Sequence, residues 1–299
     1  MIFPEMSFYM GIGVTGKKIG QRMEEFAAAG IKYLLLCPPD LQLLKDDPDY
    51  RKEMLHQSEM NGLIIRDVHA PHKTADSLGT PAPLELIVNS LSNAIDIAGS
   101  IGVKTITIHA GRSRRTGKFA NDFGLFPYVD LPAAEKRICE ALDILLPIAE
   151  KNNCVIALEN LFLPSGCADF LTPIVEKYDN PYLGMCYDSG HALLVESQEG
   201  KVSDDIAEWI RIGWDDDTVV FQGDQLDRML NQVVTTHLHD NNGKNDQHLI
   251  PGSGIAKWET IIERLKRAPR LISLQAELGI DFLDAPAVDI AAWYSLFNI

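Results

Sequence analysis

Eight short apolar runs recur along this 299-residue chain, nearly all with a helical stretch behind them, and that alternation limits the fold more than any other feature. The runs are Ser7–Gly13, Ile31–Cys37, Leu63–Val68, Lys104–Ile108, Cys154–Leu158, Tyr182–Tyr187, Val233–Thr236 and Leu271–Ala276. Several are rich in Val, Ile and Leu without alternation, as in IKYLLLC at 31–37, which is the pattern of a strand covered on both faces. Helices are predicted over Lys17–Ala29, residues 40–60, Pro83–Ser100, Leu131–Lys151, Asp169–Tyr178, Lys257–Lys266 and Asp284–Phe297. Residues 193–230 show no clear period. Eight regular strand–helix repeats with no linker between them predict an α/β fold, a closed (β/α)8 barrel of the TIM type. One domain is expected over residues 1–299. An open doubly wound sheet rarely needs so many repeats. The loose glycines at 11, 13 and 16 do not make the phosphate turn of a dinucleotide fold.

Metal-competent side chains gather where these runs end. His69 follows the third run, His109 the fourth, Glu159 the fifth, and Asp188 with His191 the sixth. The seventh run leads into HLHD and a Gly/Asn/Asp loop, supplying His237, His239, Asp240, Asp246 and His248, and Glu277 follows the eighth. Of eight histidines only His56 lies clearly away from such a position. In a (β/α)8 barrel the C-terminal strand ends share one rim, so these groups are expected to converge. Helix caps arising independently would not line up this way. Carboxylates and imidazoles without cysteine suit Zn²⁺, Mn²⁺, Co²⁺ or Fe²⁺. Glu159, Asp188, His237 and Glu277 could ring one ion. His69, His109, His191, Asp246 and His248 exceed what one ion holds, and are either substrate or supporting groups or the ligands of a second and third ion.

Composition narrows the partners. With 27 basic and 42 acidic residues the net charge is −15, which opposes broad attraction to nucleic acid or an anionic membrane. No apolar run reaches the roughly 18 residues of a membrane span. Five cysteines without CxxC spacing suit a reducing compartment, and the cytoplasm is expected. The densest positive patch, Arg112, Arg114, Arg115 and Lys118, is a candidate phosphate-binding loop. Trp209, Trp214 and Trp258 could serve a homo-oligomer interface or pack in the core.

The motifs HAPH at 69–72, HAG at 109–111, EN at 159–160, YDSGH at 187–191, HLHD at 237–240, DQHLIPGSG at 246–254 and Glu277 together resemble the xylose-isomerase-like superfamily of metal-dependent barrels. The superfamily contains sugar and sugar-phosphate isomerases and epimerases, and also zinc-dependent apurinic endonucleases. The isomerase branch implies one divalent ion, Zn, Mn or Co, on Glu159, Asp188, His237 and Glu277. Glu159 and Glu277 would exchange protons with a small sugar or sugar phosphate, passing through an enediolate held by the ion, and His191 would orient substrate oxygens. The endonuclease branch implies up to three zinc ions, and His69, His109, Glu159, Asp188, His191, His237, Asp246, His248 and Glu277 fill its ligand pattern without a gap. The loop after the second strand, however, begins Cys37-Pro38-Pro39 without the arginine of that branch, and His72 stands where it has a duplex-wedging tyrosine. A phosphoesterase or a sugar or polyol dehydratase on the same ligands is the alternative to the isomerase or epimerase.

Overall fold

A computed structural model describes residues 3–72, 77–111, 130–196 and 223–298. Eight parallel strands close into a barrel in sequence order: β1 Met6–Tyr9, β2 Tyr33–Leu36, β3 Ile64–His69, β4 Thr105–His109, β5 Val155–Glu159, β6 Leu183–Asp188, β7 Val233–Leu238 and β8 Leu274–Ala276. Closure is made by β1 against β8, with Ser7 opposite Gln275. Most observed strands begin a residue or two later than predicted, and several extend into their terminal polar residue. His69, His109, Glu159, Asp188 and His237 are therefore the final or near-final rungs of the sheet rather than loop residues.

The helices shield the outer face of the sheet. Leu84–Ser100 buries Ile87, Leu91, Ala94, Ile95 and Ala98, one stripe at helical spacing. Leu131–Lys151 matches its predicted span, because Asp130 caps it by accepting from the Ala133 N–H and Pro132 presets its first turn. The helix predicted over 40–60 is two, Pro38–Asp46 and Pro48–Met60. Pro48 cannot continue the first, and the Asp47 carboxylate starts the second by accepting from the N–H groups of Asp49 and Tyr50. The final predicted helix shortens to Ala287–Trp293 with a 3₁₀ turn at Ser295–Phe297, and part of the illegible stretch is a helix, Ser189–Glu196. Among the described residues, no helix is long and apolar enough to cross a membrane.

Inside the barrel, beneath the mouth, the layer is polar. The fully buried Asp67 carboxylate accepts from the hydroxyls of Ser7, Thr105 and Ser273, the last at 2.7 Å, and from Arg66 Nε at 3.1 Å. The Arg66 guanidinium lies 4.0 Å from the Tyr33 ring centroid and also donates to the Glu5 carbonyl. Gln275 donates to Thr235 Oγ1 at 2.6 Å. Most polar atoms of this inward-facing layer pair with one another, Gln275 Oε1 excepted, and together they form a rigid floor. Replacing Asp67 with Ala strands a buried guanidinium and three hydroxyls. Urea unfolding is expected to register a loss of about 3 kcal/mol or more; a loss under about 1 kcal/mol would show that the layer contributes little to stability.

Candidate metal centre

Parallel register sets the terminal rungs side by side: His109 opposite Glu159, and Asp188 opposite His237. Their side chains all point into the barrel mouth. Glu159 Oε2 meets Nε2 of His109 at 2.9 Å and Nε2 of His69 at 3.4 Å. Its Oε1 meets Nδ1 of His237 at 3.2 Å and of His191 at 3.3 Å. Glu277 Oε2 approaches the same His237 Nδ1 at 3.2 Å. A few ångströms outward, Asp246 Oδ2 lies between His191 Nε2 at 3.4 Å and His248 Nε2 at 3.2 Å. Every member of the predicted ligand set is thus brought together. Among the described residues, three groups have candidate ligand atoms within 4.8 Å of one another: Glu159, Asp188, His237 and Glu277; His69, Glu159 and His237; and His239, Asp246 and His248.

Several of these atoms are buried and make no well-aligned hydrogen bond, although nitrogen and oxygen approach closely: Glu159 Oε2, both ring nitrogens of His237, His239 Nδ1, Asp246 Oδ1 and Glu277 Oε2. Each such atom costs about 1–3 kcal/mol if nothing engages it, and more where it carries charge. Their concentration in one mouth, with oxygen and nitrogen donors and no thiolate, fits a divalent cation. Without a cation, protons must do the balancing. Burial pushes Glu159, Glu277 and Asp246 up, but the surrounding imidazoles outweigh it and hold all three well below the usual carboxylate range. Burial likewise depresses the imidazoles. At His191 the carboxylates of Asp188 and Asp246 overcome it, as do Cys186, Glu277 and Glu159 at His237, and both lie well above the usual histidine value. At His248, Asp246 and Glu277 overcome burial to give about 9. His72, at the rim, falls to about 4 through burial and the neighbouring His69 and His109.

The motifs acquire mechanical roles here. The Asp188 carboxylate accepts from the His191 N–H at 2.6 Å, and its backbone exchanges two hydrogen bonds with the Asn160 amide. The Asn160 carbonyl contacts His191 Nδ1 at 2.9 Å. Ser189 ties to the His239 backbone at both its carbonyl, 2.7 Å, and its N–H, 3.0 Å. Gly190 is obligatory for a spatial reason, since a Cβ there would lie 1.9 Å from His239 Cε1. The loop bearing Asp246 and His248 is pinned by the buried Asp240 carboxylate. It accepts from the N–H groups of Asn241, Gly252 and Ala256 and from Trp258 Nε1, all within 3.1 Å. His248 sits at φ +47°, a conformation uncommon for a residue with a Cβ.

His239, His72, Asn160 and Asp240 are the parts the residue pattern did not assign. His239 shares the two-residue spacing of His237, but its Nε2 contacts Asp188 Oδ2 at 3.1 Å and its ring stacks on His248 at 4.0 Å. Trp258 is a buried clamp partner, whereas Trp209, Trp214 and the candidate phosphate ligands Arg112, Arg114, Arg115 and Lys118 lie outside the described residues. The imidazoles and carboxylates border a cavity of about 430 Å³ whose other wall is the apolar Leu161–Phe162–Leu163.

Fold and site together define a mixed carboxylate–imidazole centre in the mouth of an eight-stranded barrel. The chain belongs to the xylose isomerase-like TIM barrel family, whose profile matches residues 23–278. An uncharacterized protein, y4fM of Sinorhizobium fredii, is 25% identical over 202 residues, which are 65% of this chain and 53% of that protein. The chain therefore spans about half the length of this curated relative. Among solved structures, a D-tagatose 3-epimerase-like protein superposes with a TM-score of 0.68 at 18% identity, covering 98% of both chains. The IOLI protein, solved with a binding zinc atom, superposes at 0.66 with 15% identity over 98% of this chain and 96% of its own.

Two outcomes follow from this geometry. Gly190→Ala is expected to expel the His239 ring and cost about 1–3 kcal/mol, read by thermal or urea unfolding; unchanged stability would mean that His239 relocates freely. His248 holds its proton up to about pH 9 in the cation-free site, so its own stabilising contribution is complete below the unfolded value near 6.5 and lost as pH rises through 9. A cation on its nitrogen must displace that proton. Calorimetric Zn²⁺ titration at pH 7 in buffers of different ionisation enthalpy should show proton release, with affinity rising toward pH 9. Affinity independent of pH from 6 to 9 would remove His248 from the binding set.

Proposed function

We propose that this barrel is a divalent-metal-dependent isomerase or epimerase of a sugar or sugar derivative, working as one barrel domain in the cytoplasm. The observation that carries the reading is the ring of Glu159, Asp188, His237 and Glu277, with atoms of Glu159, His237 and Glu277 buried without a well-aligned hydrogen bond, beside a cavity sized for a small molecule. The likeness to a D-tagatose 3-epimerase-like protein and to a zinc-holding barrel supports it. Those four residues would hold the cation, which supplies a Lewis acid that polarises a carbonyl oxygen.

Glu159 and Glu277 reach the floor from β5 and from the end of β8, and both are held ionised, so both are competent bases. One takes the proton from the carbon beside the carbonyl, whose C–H electrons move toward the carbonyl oxygen. The other, once it has taken up a proton from solvent or a substrate hydroxyl, returns it to the opposite face and inverts that carbon, while the first carboxylate releases its proton to solvent; return to the neighbouring carbon gives isomerisation instead. His191 is placed to orient a substrate hydroxyl, and the Leu161–Leu163 wall keeps water from the exposed carbanion. The assay is deuterium exchange beside the carbonyl of free ketoses in D₂O, followed by NMR. Glu159→Gln and Glu277→Gln are each expected to lower it by about 10²–10⁴-fold, and chelation should abolish it. Absence of exchange for every ketose tried, with hydrolysis of bis(p-nitrophenyl) phosphate instead, would overturn the proposal.

One observation favours a second reading, a zinc-dependent phosphoesterase with several ions. His69 and His109 share Glu159 Oε2, and His191 and His248 share Asp246, more ligands than one ion needs. Elemental analysis of protein purified without added metal separates the two. About one ion per chain, unchanged in His69→Ala and His109→Ala, is expected for the epimerase; about three, falling in both variants, points to the phosphoesterase.

A further inference from the structure

A second cavity of about 580 Å³ adjoins the metal lobe and shares His69, His72 and Glu277 with it. It opens over the first three strands, opposite the Asp246–His248 loop. Its own wall is made by Tyr9 at the end of β1, by Cys37, Pro38, Pro39 and Gln42 after β2, by Pro71 after β3 and by Ser90 of the helix Leu84–Ser100. Neither lysine nor arginine lines it among the described residues, and Glu277 stands on the wall it shares with the metal lobe. Burial pushes the Cys37 thiol and the Tyr9 hydroxyl up. Among the described residues no lysine or arginine side chain meets an anion entering this lobe. Flat apolar faces from three prolines and a tyrosine, with the Gln42 amide as a handle, match the C–H face and hydroxyl rim of a pyranose ring. The prolines also hold the wall in place before binding, since Pro38 and Pro39 form the first turn of the helix Pro38–Asp46.

We propose that this lobe is a subsite for a second, uncharged ring, so that the substrate class is a neutral ketose carrying a glycosyl substituent rather than a bare monosaccharide or a phosphate ester at that end. The proposal rests on the sugar reading above and deepens it. Each lobe alone falls in the range of about 300–1,000 Å³ that encloses one small organic molecule, and their shared wall at Glu277 places the second ring beside the reacting carbonyl.

The test is calorimetric binding to metal-loaded full-length protein with three probes: D-fructose, lactulose (a neutral galactosyl-fructose) and D-fructose 6-phosphate. Gln42→Trp and Pro39→Trp, both at exposed positions after β2, narrow the lobe without replacing a metal ligand. Lactulose is expected to bind about tenfold or more tighter than fructose. That ratio should fall to near one in both variants while metal per chain and the circular dichroism spectrum stay as in the wild type. Equal binding of fructose and lactulose by the wild type, or a lactulose advantage that survives both substitutions, overturns the subsite and leaves the epimerase reading standing. A preference for the phosphate that both tryptophans abolish overturns the uncharged occupant. No binding of any probe removes the sugar reading and the subsite with it, and deuterium exchange on free ketoses reports on that reading separately.

Discussion

The structure depends on one crowded electrostatic arrangement: carboxylates and imidazoles from six strand ends packed into a mouth with too few hydrogen bonds to go round. Burying ionised groups costs several kcal/mol each unless opposite charge or a cation answers them. Much of the surrounding architecture reads as support for this crowd. Asn160 holds the Asp188 backbone, Asp188 fixes the start of the helix bearing His191, and Ser189 ties that turn to the end of β7. Asp240 does the same for the loop that carries Asp246 and His248. The polar layer around Asp67 gives the mouth a stiff floor. A site of this kind works only if its ligands cannot relax away from one another, and supporting hydrogen bonds provide that resistance.

Global and local electrostatics run in different directions. The chain carries a net charge of −15, yet its mouth concentrates imidazoles, two of which sit well above their usual range in the cation-free site. Binding a divalent ion there exchanges protons for metal, so the site's charge is set by pH and metal supply rather than by the acidic surface. The lobe beside it contains one carboxylate and several apolar faces. On the proposed reading, metal lobe and neighbouring lobe ask for different chemistry, a polar head at the ion and an uncharged ring beyond it.

The sequence alone carried most of the element order and the ligand types. Helix Leu131–Lys151 was legible because its start signals, Asp130 and Pro132, and its apolar stripe are local. The break at Pro48 was equally local, but the leucines on either side blur into one helical pattern. The ligands stood out because a polar residue ending an apolar run is unusual, and several in succession more so. His239 did not separate from His237, since two-residue spacing says only that both rings face inward. Its stacking on His248 depends on the space left by Gly190, a residue on another strand's loop. Asp240 read as one acidic residue in a turn, because its donors come from 1, 12, 16 and 18 positions downstream.

What the sequence determined by itself was the repeating strand–helix unit, the closure it implies and the kind of chemistry at the strand ends, all properties of short windows governed by periodicity and residue type. Tertiary structure decided which nitrogen faces which oxygen, which buried atoms lack a well-aligned hydrogen bond, and where the cavity divides into two lobes. Those depend on barrel closure, which sets Ser7 against Gln275 and brings Glu277 to the same floor as Glu159. Contacts across that span are fixed by the register of the whole sheet, to which every strand contributes and which no local window contains.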